Sequence, residues 1–358
     1  MNDVPIRDFR IERYALKLST AWRSAHGALH RREGEVLTLE DQTGGLGVGE
    51  CAPMPAAGTE SADAARAGLR ERANALIGNG VVSGLAQSAT IAAGSETGRM
   101  LPAASCAIDS ALLDLRAMRT GVPLRQLLNP DAVDEFAVNA SLGAIDATIR
   151  ERAQAAASAG FRVLKIKLGV SAPELEQAAL RKLVAVLPAD CRLRLDANGA
   201  WDEPCARGWL TMLQDLPVES LEEPLKEAAS DRLRALQAGC RFPLAADESL
   251  PTLLALSAPG QLPVRRAVLK PTALGGARRS MALAKDLMSH GIECVVTTTV
   301  EAAPGRWLVA HCAAALGNDL AHGLDTGDWL ASDLGLGPAV IAGRCRLPLQ
   351  PGLGFRFT

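Results

Sequence analysis

The chain has 358 residues, 48% of them hydrophobic, which is longer than an average domain and enough for a proper core without covalent staples. Its formal net charge of −2 gives no electrostatic reason to bind DNA, RNA or an acidic membrane, and no uncharged apolar stretch reaches the length of a membrane span. Eight cysteines are scattered without a CxxC pair, and no basic region followed by an apolar core opens the chain, so reduced core thiols in a cytosolic protein are expected.

From residue 7 to 40 the pattern suits two extended segments, 9–18 and 34–41, joined by a polar stretch over 19–33, as at the start of an antiparallel meander. The run Gly45-Leu46-Gly47-Val48-Gly49 superficially suggests a dinucleotide loop. It leads into Glu50-Cys51-Ala52-Pro53 instead of opening a helix, so NAD is not expected. Residues 61–77 and 102–121 have helical periodicity, and the second stretch ends at Gly121 just before Pro123. Residues 1–130 therefore read as an α+β domain.

From there strands and helices take turns: extended segments near 136–142, 161–169 and 191–198, with helical segments at 146–160 and 172–187 between them. The alternation continues to about residue 325, which implies a parallel sheet with crossover helices and some eight strand positions. Polar residues end many successive strands, whereas an open sheet gathers its ligands at one switch point, so a closed ring is expected over 131–334. The predicted fold class is α/β, a TIM-like (β/α) barrel with an N-terminal α+β domain. The extended tail, 335–358, is expected to return to that first domain.

Three acids, Asp196, Glu222 and Asp247, each follow a short apolar run and recur with Lys270 at intervals of 26, 25 and 23 residues, about the length of one βα unit. Taken singly, each reads best as a helix cap or loop acid; three in consecutive units point to one site. All-oxygen ligation without histidine suits Mg²⁺ and fits zinc poorly. Lys165 and Lys167 stand two apart on a strand and share a face, where a lone pair would read as a solvated strand face. With acids opposite, they are expected to point into the barrel mouth, where desolvation and the neighbouring ammonium lower a lysine pKa toward the range of a useful base. Arg194, Asn198 and Glu248 are assigned a supporting place, and Lys270 is expected to stand across the barrel from the lysine pair, a salt bridge to Glu248 being its simplest structural reading and compatible with that place. His26 and His30, spaced i, i+4 without a third ligand, are expected at most to line a lid. Trp201, Trp307 and Trp329 read as packing residues.

These segments together resemble the enolase superfamily, in its muconate-lactonizing branch with a lysine pair. The likeness runs through GVGECAPMP (47–55), LKIKLG (164–169), LDAN (195–198), LEEP (221–224), ADES (246–249) and LKPTALGG (269–276). It implies a barrel with a capping domain, Mg²⁺ held by Asp196, Glu222 and Asp247, and Lys167 as base with Lys165 beside it and Lys270 opposite. Within the branch the chain looks most like the o-succinylbenzoate synthases, on STAWRSAHGALHRREGEVLTLED (19–41) and AHGLDTGDWLASDLG (321–335). That resemblance implies a small carboxylate substrate, proton abstraction next to the carboxylate and loss of water. The usual serine-rich seventh-strand motif is replaced by Thr297-Thr298-Thr299-Val300-Glu301, in which Thr298 and Glu301 are the candidates for substrate contact. N-acylamino acid racemase, dipeptide epimerase and muconate cycloisomerase activities are the alternatives, and a non-catalytic ligand-binding protein is the alternative of another class. The spacing of Asp325 and Asp328 departs from the Asp-x-Asp usual in dipeptide epimerases and disfavours their substrates. A homo-oligomer is left open.

Overall fold

The computed structural model describes residues 3–24, 27–92 and 100–357. Strands β1 (Ile6–Ser24), β2 (Gly27–Asp41) and β3 (Leu46–Cys51) form an antiparallel meander. The stretch expected to be a polar connection is itself mostly ladder: pairing slips between Lys17 and Trp22 and resumes with Trp22 opposite Leu29. Between these stretches Leu18 bridges to Leu330 instead.

Helices α1 (Ala62–Leu76), α2 (Val81–Ala92), α3 (Pro102–Thr120) and α4 (Leu124–Leu128) complete this first unit. Ser61 caps α1 by accepting the Ala64 N–H, and Gly121 closes α3 at φ +71°, a conformation glycine adopts without steric cost. The glycine run of β3 has a packing cause. A Cβ on Gly47 would lie 2.2 Å from the Ala111 carbonyl oxygen, and one on Gly49 2.0 Å from that of Ala107, so β3 lies flat against α3 only because both residues lack side chains.

After β4 (Glu135–Ala137), the strands β5 (Ala140–Ala144), β6 (Val163–Lys167), β7 (Arg192–Asp196), β8 (Val218–Glu222), β9 (Leu244–Ala246), β10 (Arg266–Leu269) and β11 (Glu293–Val296) form one parallel sheet in chain order. Residues 321–324 close it. His322 N–H donates to Ala137 O at 2.8 Å and Gly323 N–H to Val296 O at 2.9 Å, which joins the segment leading from β4 into β5 to the last strand, β11. Crossover helices α5 (Ile149–Ser158), α6 (Pro173–Val184), α7 (Glu203–Leu213), α8 (Ser230–Ala238), α9 (Leu250–Leu256), α10 (Pro271–Leu274), α11 (Ala277–Ser289) and α12 (Ala303–Leu316) surround the ring. Along β6 and β7, Leu164, Ile166, Leu193 and Leu195 are fully buried toward the helices, each contributing about 1.5–3 kcal/mol, while the alternate residues point inward.

The interior below the site is ionic. A bulge at Glu219 sets its carboxylate against Arg194 (3.1 Å) and Arg266, with Glu293 2.6 Å from Arg266 on the far side. Burial pushes the Glu219 carboxyl up, but Arg194 and Arg266 outweigh it and hold its pKa at about 2. The tail adds β12 (Val340–Ile341) and β13 (Arg344–Arg346), which pair through β13 with β4, and it then reaches the first unit, where Gly352 N–H donates to Val122 O at 3.1 Å. Among the described residues no helix is long and apolar enough to cross a membrane, and all eight cysteines are free.

Two buried histidines tie these parts together. His311 Nδ1 accepts the Arg125 N–H at 3.1 Å and its Nε2 meets Leu353 O at 3.0 Å, while His322 Nδ1 accepts the Val296 N–H at 3.1 Å. Burial lowers their pKa values to about 4 and about 3. The folded state therefore binds fewer protons than the unfolded one, so this stability is present above about pH 6.5 and is lost as pH falls toward those values, on the order of several kcal/mol for the pair. Urea unfolding at pH 7 and pH 5 should show the fall, and His311→Gln should show a smaller difference between the two pH values. An equal difference in the variant would remove His311 from the account.

Candidate active site

At the carboxyl ends of the barrel strands lies a cavity of about 220 Å³. Strand register brings its acids and amines together: Lys167 is the lateral partner of Asp196, and Asp196 of Glu222. The Lys165 ammonium lies 3.1 Å from Asp196 Oδ2 and is bonded to Glu222 Oε2. Lys167 Nζ donates to Asn198 Oδ1 at 2.7 Å and lies 3.6 Å from Asp196. On the other side, Lys270 Nζ lies 2.7 Å from Asp247 Oδ1 and 3.1 Å from Glu248 Oε1.

The electrostatics differ from the expectation of a lysine pKa lowered by its neighbour. Burial does oppose the charge on Lys165, but Asp196, Glu222 and Asp247 outweigh it and raise its pKa; Asp247 and Glu248 do the same for Lys270. Acids at hydrogen-bond distance dominate over a second ammonium on the same strand. Asp196, although buried, is held below the usual carboxylate range by Lys165 and Lys167. Asp247 moves the opposite way, well up, through burial and then the adjoining Glu248.

The supporting residues occupy distinct places. Asn198 holds a left-handed backbone (φ +44°) and its N–H donates to Asp196 Oδ1 at 3.0 Å, while its side-chain oxygen accepts from Lys167. Arg194 lies under the site, donating to Asn139 Oδ1 at 3.1 Å and standing 3.9 Å from Glu222. Glu248 lines the cavity beside Lys270, and Thr298 lines it while sharing a 2.9 Å hydrogen bond with Thr326. Glu301 departs from its expected place. It is 1% exposed and is not among the residues lining the cavity; its carboxylate accepts from Thr272 Oγ1 at 2.7 Å and from Thr299 N–H and Oγ1 at 2.5 Å each. The tight turn at 299–301 rotates it inward, so it braces the loop. His26 lies outside the described residues, and His30 is exposed.

One contributor escaped sequence reasoning. Glu223 accepts from the Asp247 N–H at 2.5 Å and from Ser249 N–H and Oγ, so it orders the loop bearing Asp247; burial, then Glu248, raises its pKa to about 7. The doubled acid in LEEP was the available signal. Asp325 lines the cavity and accepts the Ser141 N–H at 3.0 Å, whereas Asp328 is exposed. Leu29, Met54, Ala56 and Ala57 of the first unit supply an apolar rim.

Among the described residues no three His, Cys, Asp or Glu stand in ready-made metal-ligating geometry. The donor chemistry nevertheless fits a hard cation: Asp196, Glu222, Asp247 and Glu248 crowd buried oxygens with no imidazole or thiolate, and the rise of the Asp247 pKa registers that crowding.

Residues 148–358 match the family model described as enolase C-terminal domain-like, and residues 11–129 match that of the mandelate racemase / muconate lactonizing enzyme N-terminal domain. The chain is 29% identical to an L-Lys-D/L-Arg epimerase of Methylococcus capsulatus, over 98% of each chain. It is 28% identical to the o-succinylbenzoate synthase of Thermosynechococcus vestitus, over 83% of this chain and 86% of that one. The crystal structure of a dipeptide epimerase from Enterococcus faecalis, complexed with Mg and L-Leu-L-Tyr, superposes with a TM-score of 0.89 at 26% identity, over 98% of this chain and 99% of that one. Both halves of the sequence thus lead to one assignment: the chain belongs to the enolase superfamily, in its muconate-lactonizing branch.

Proposed function

We propose that the cavity removes a proton from the carbon next to a carboxylate and returns one on the opposite face, epimerising or racemising a small N-substituted amino acid or dipeptide. The observation that carries this reading is the pair of amines, Lys167 buried and Lys270 half-buried, on opposite sides of one cavity. Each is within reach of a different face of a flat intermediate, as two-base proton transfer requires. Mg²⁺ held by Asp196, Glu222 and Asp247 would supply positive charge toward the substrate carboxylate and draw off part of the acidic charge that raises Lys270. Asn198 would hold Lys167 in place, Lys165 would balance the acids, and Glu248 would steady Lys270. Asp325 on the wall supports a substrate with an amide or ammonium donor at that end, one carboxylate of the pair whose usual spacing is missing. Relatives named as epimerases agree with this reading.

A dehydration of the o-succinylbenzoate synthase type is the second reading, favoured by the likeness to such a synthase over most of the chain. Incubation with Mg²⁺ in D₂O separates them. Deuterium entering an N-acyl amino acid or dipeptide with loss of optical rotation supports the first, and ultraviolet growth of an aromatic product from the cyclohexadiene carboxylate supports the second. Activity unchanged after chelation would contradict the metal assignment in both.

A further inference from the structure

Arg32 lies on β2 with 3% of its surface exposed, and its guanidinium joins segments far apart in the chain. Nε–H donates to the Val300 carbonyl at 3.1 Å; one terminal nitrogen donates to Pro53 O at 2.7 Å and Glu33 O at 3.3 Å; the other donates to Ala52 O. A planar fork that spends its donors on main-chain oxygens fixes their angles as well as their separations. Two of the segments it ties end on the cavity wall, one at Met54 and the other at Val300.

Val300 is the residue that requires fixing. Its φ of +60° lies in the left-handed region, where a β-branched side chain is strained by about 1–3 kcal/mol. Such a conformation persists only where its surroundings over-determine it. Here Thr299 N–H donates to Glu301 at 2.5 Å from within the turn, and the first unit holds it from outside, through Arg32 on Val300 O and through Glu50, which accepts the Ala302 N–H at 2.9 Å.

We infer that Arg32 is a positioning residue, which locks the strained Val300 turn to the 52–54 segment and thereby sets the cavity rim that grips the part of the substrate remote from the reacting carbon. The locking half stands on geometry alone; the substrate half rests on the reading of the cavity given under Proposed function. Hydrogen-exchange mass spectrometry of the full chain without ligand tests the first half. Arg32→Met and Arg32→Lys should both speed exchange over 297–302 and 51–57 by roughly tenfold, with β6–β8 unchanged, because a compact ammonium cannot span three carbonyls. Unchanged exchange in those segments, full protection in Arg32→Lys, or uniform acceleration along the chain would each overturn the locking role. With whichever substrate the wild type turns over, both variants should raise KM roughly tenfold while kcat stays within about threefold. A fall in kcat at unchanged KM would overturn the rim role while leaving the exchange result, and with it the lock, intact.

Discussion

Replacing Lys167 with alanine should lower turnover by roughly 10²–10⁴-fold, the usual worth of a positioned proton-transfer group, while leaving the fold and Mg²⁺ binding in place. The substitution removes an amine that donates to Asn198 at 2.7 Å and leaves all three candidate ligand acids present. The two-base reading adds a sharper expectation. Full racemisation needs both lysines, but exchange of the α-proton of one antipode needs only the lysine facing it. Lys167→Ala should therefore retain D₂O exchange from one antipode, and Lys270→Ala from the other. Isothermal titration with Mg²⁺ and mass spectrometry of each antipode after incubation read both outcomes. Substantial racemisation by Lys167→Ala would remove that residue from its role, and loss of exchange from both antipodes in each variant would favour one-base chemistry.

The second large effect is on stability. Glu219→Gln should lower the unfolding free energy by about 3–5 kcal/mol, because it leaves Arg194 and Arg266, each 2% exposed, facing one another without the carboxylate between them. The pH dependence has a definite sign. Glu219 is depressed from 4.5 to about 2, so its contribution is complete above pH 4.5 and is lost as pH falls through about 2; the variant should lack that limb of the stability profile. Urea midpoints of both proteins between pH 7 and pH 3 measure it. A variant within 1 kcal/mol of wild type, on the order of one ordinary hydrogen bond, would mean that Glu293 alone neutralises the layer.

What the sequence made legible follows from strand geometry. A parallel strand ends on a fixed side of the barrel, so acids that each terminate an apolar run converge whatever the helices between them do, and Asp196, Glu222 and Asp247 were readable for that reason. The glycine run is legible as something other than a dinucleotide loop because no helix follows it, and the Ala107 and Ala111 carbonyls supply its packing cause. The closing strand was faint: residues 321–324 make single bridges on either side instead of a ladder. Arg32, Glu50 and Glu223 escaped because most of their partners are main-chain atoms, and no side-chain pattern advertises a carbonyl 268 residues away. Glu301 was misplaced because position along a strand end does not reveal a turn that rotates the next side chain inward. At Lys165 the acids within hydrogen-bond distance outweigh the second amine, and strand spacing alone does not reveal how near they lie.

The division of the cavity wall has a consequence for how such a molecule diversifies. Leu29, Met54 and Ala56 come from one folding unit, and the amines and acids come from the ends of strands in the other. Substitutions that reshape the first group are expected to alter which molecule is admitted without disturbing the layer of paired charges on which the proposed proton transfer depends. Selectivity and reactivity can therefore drift separately, and a laboratory library confined to those three apolar positions should change preference among carboxylates at little risk to the chemistry beneath.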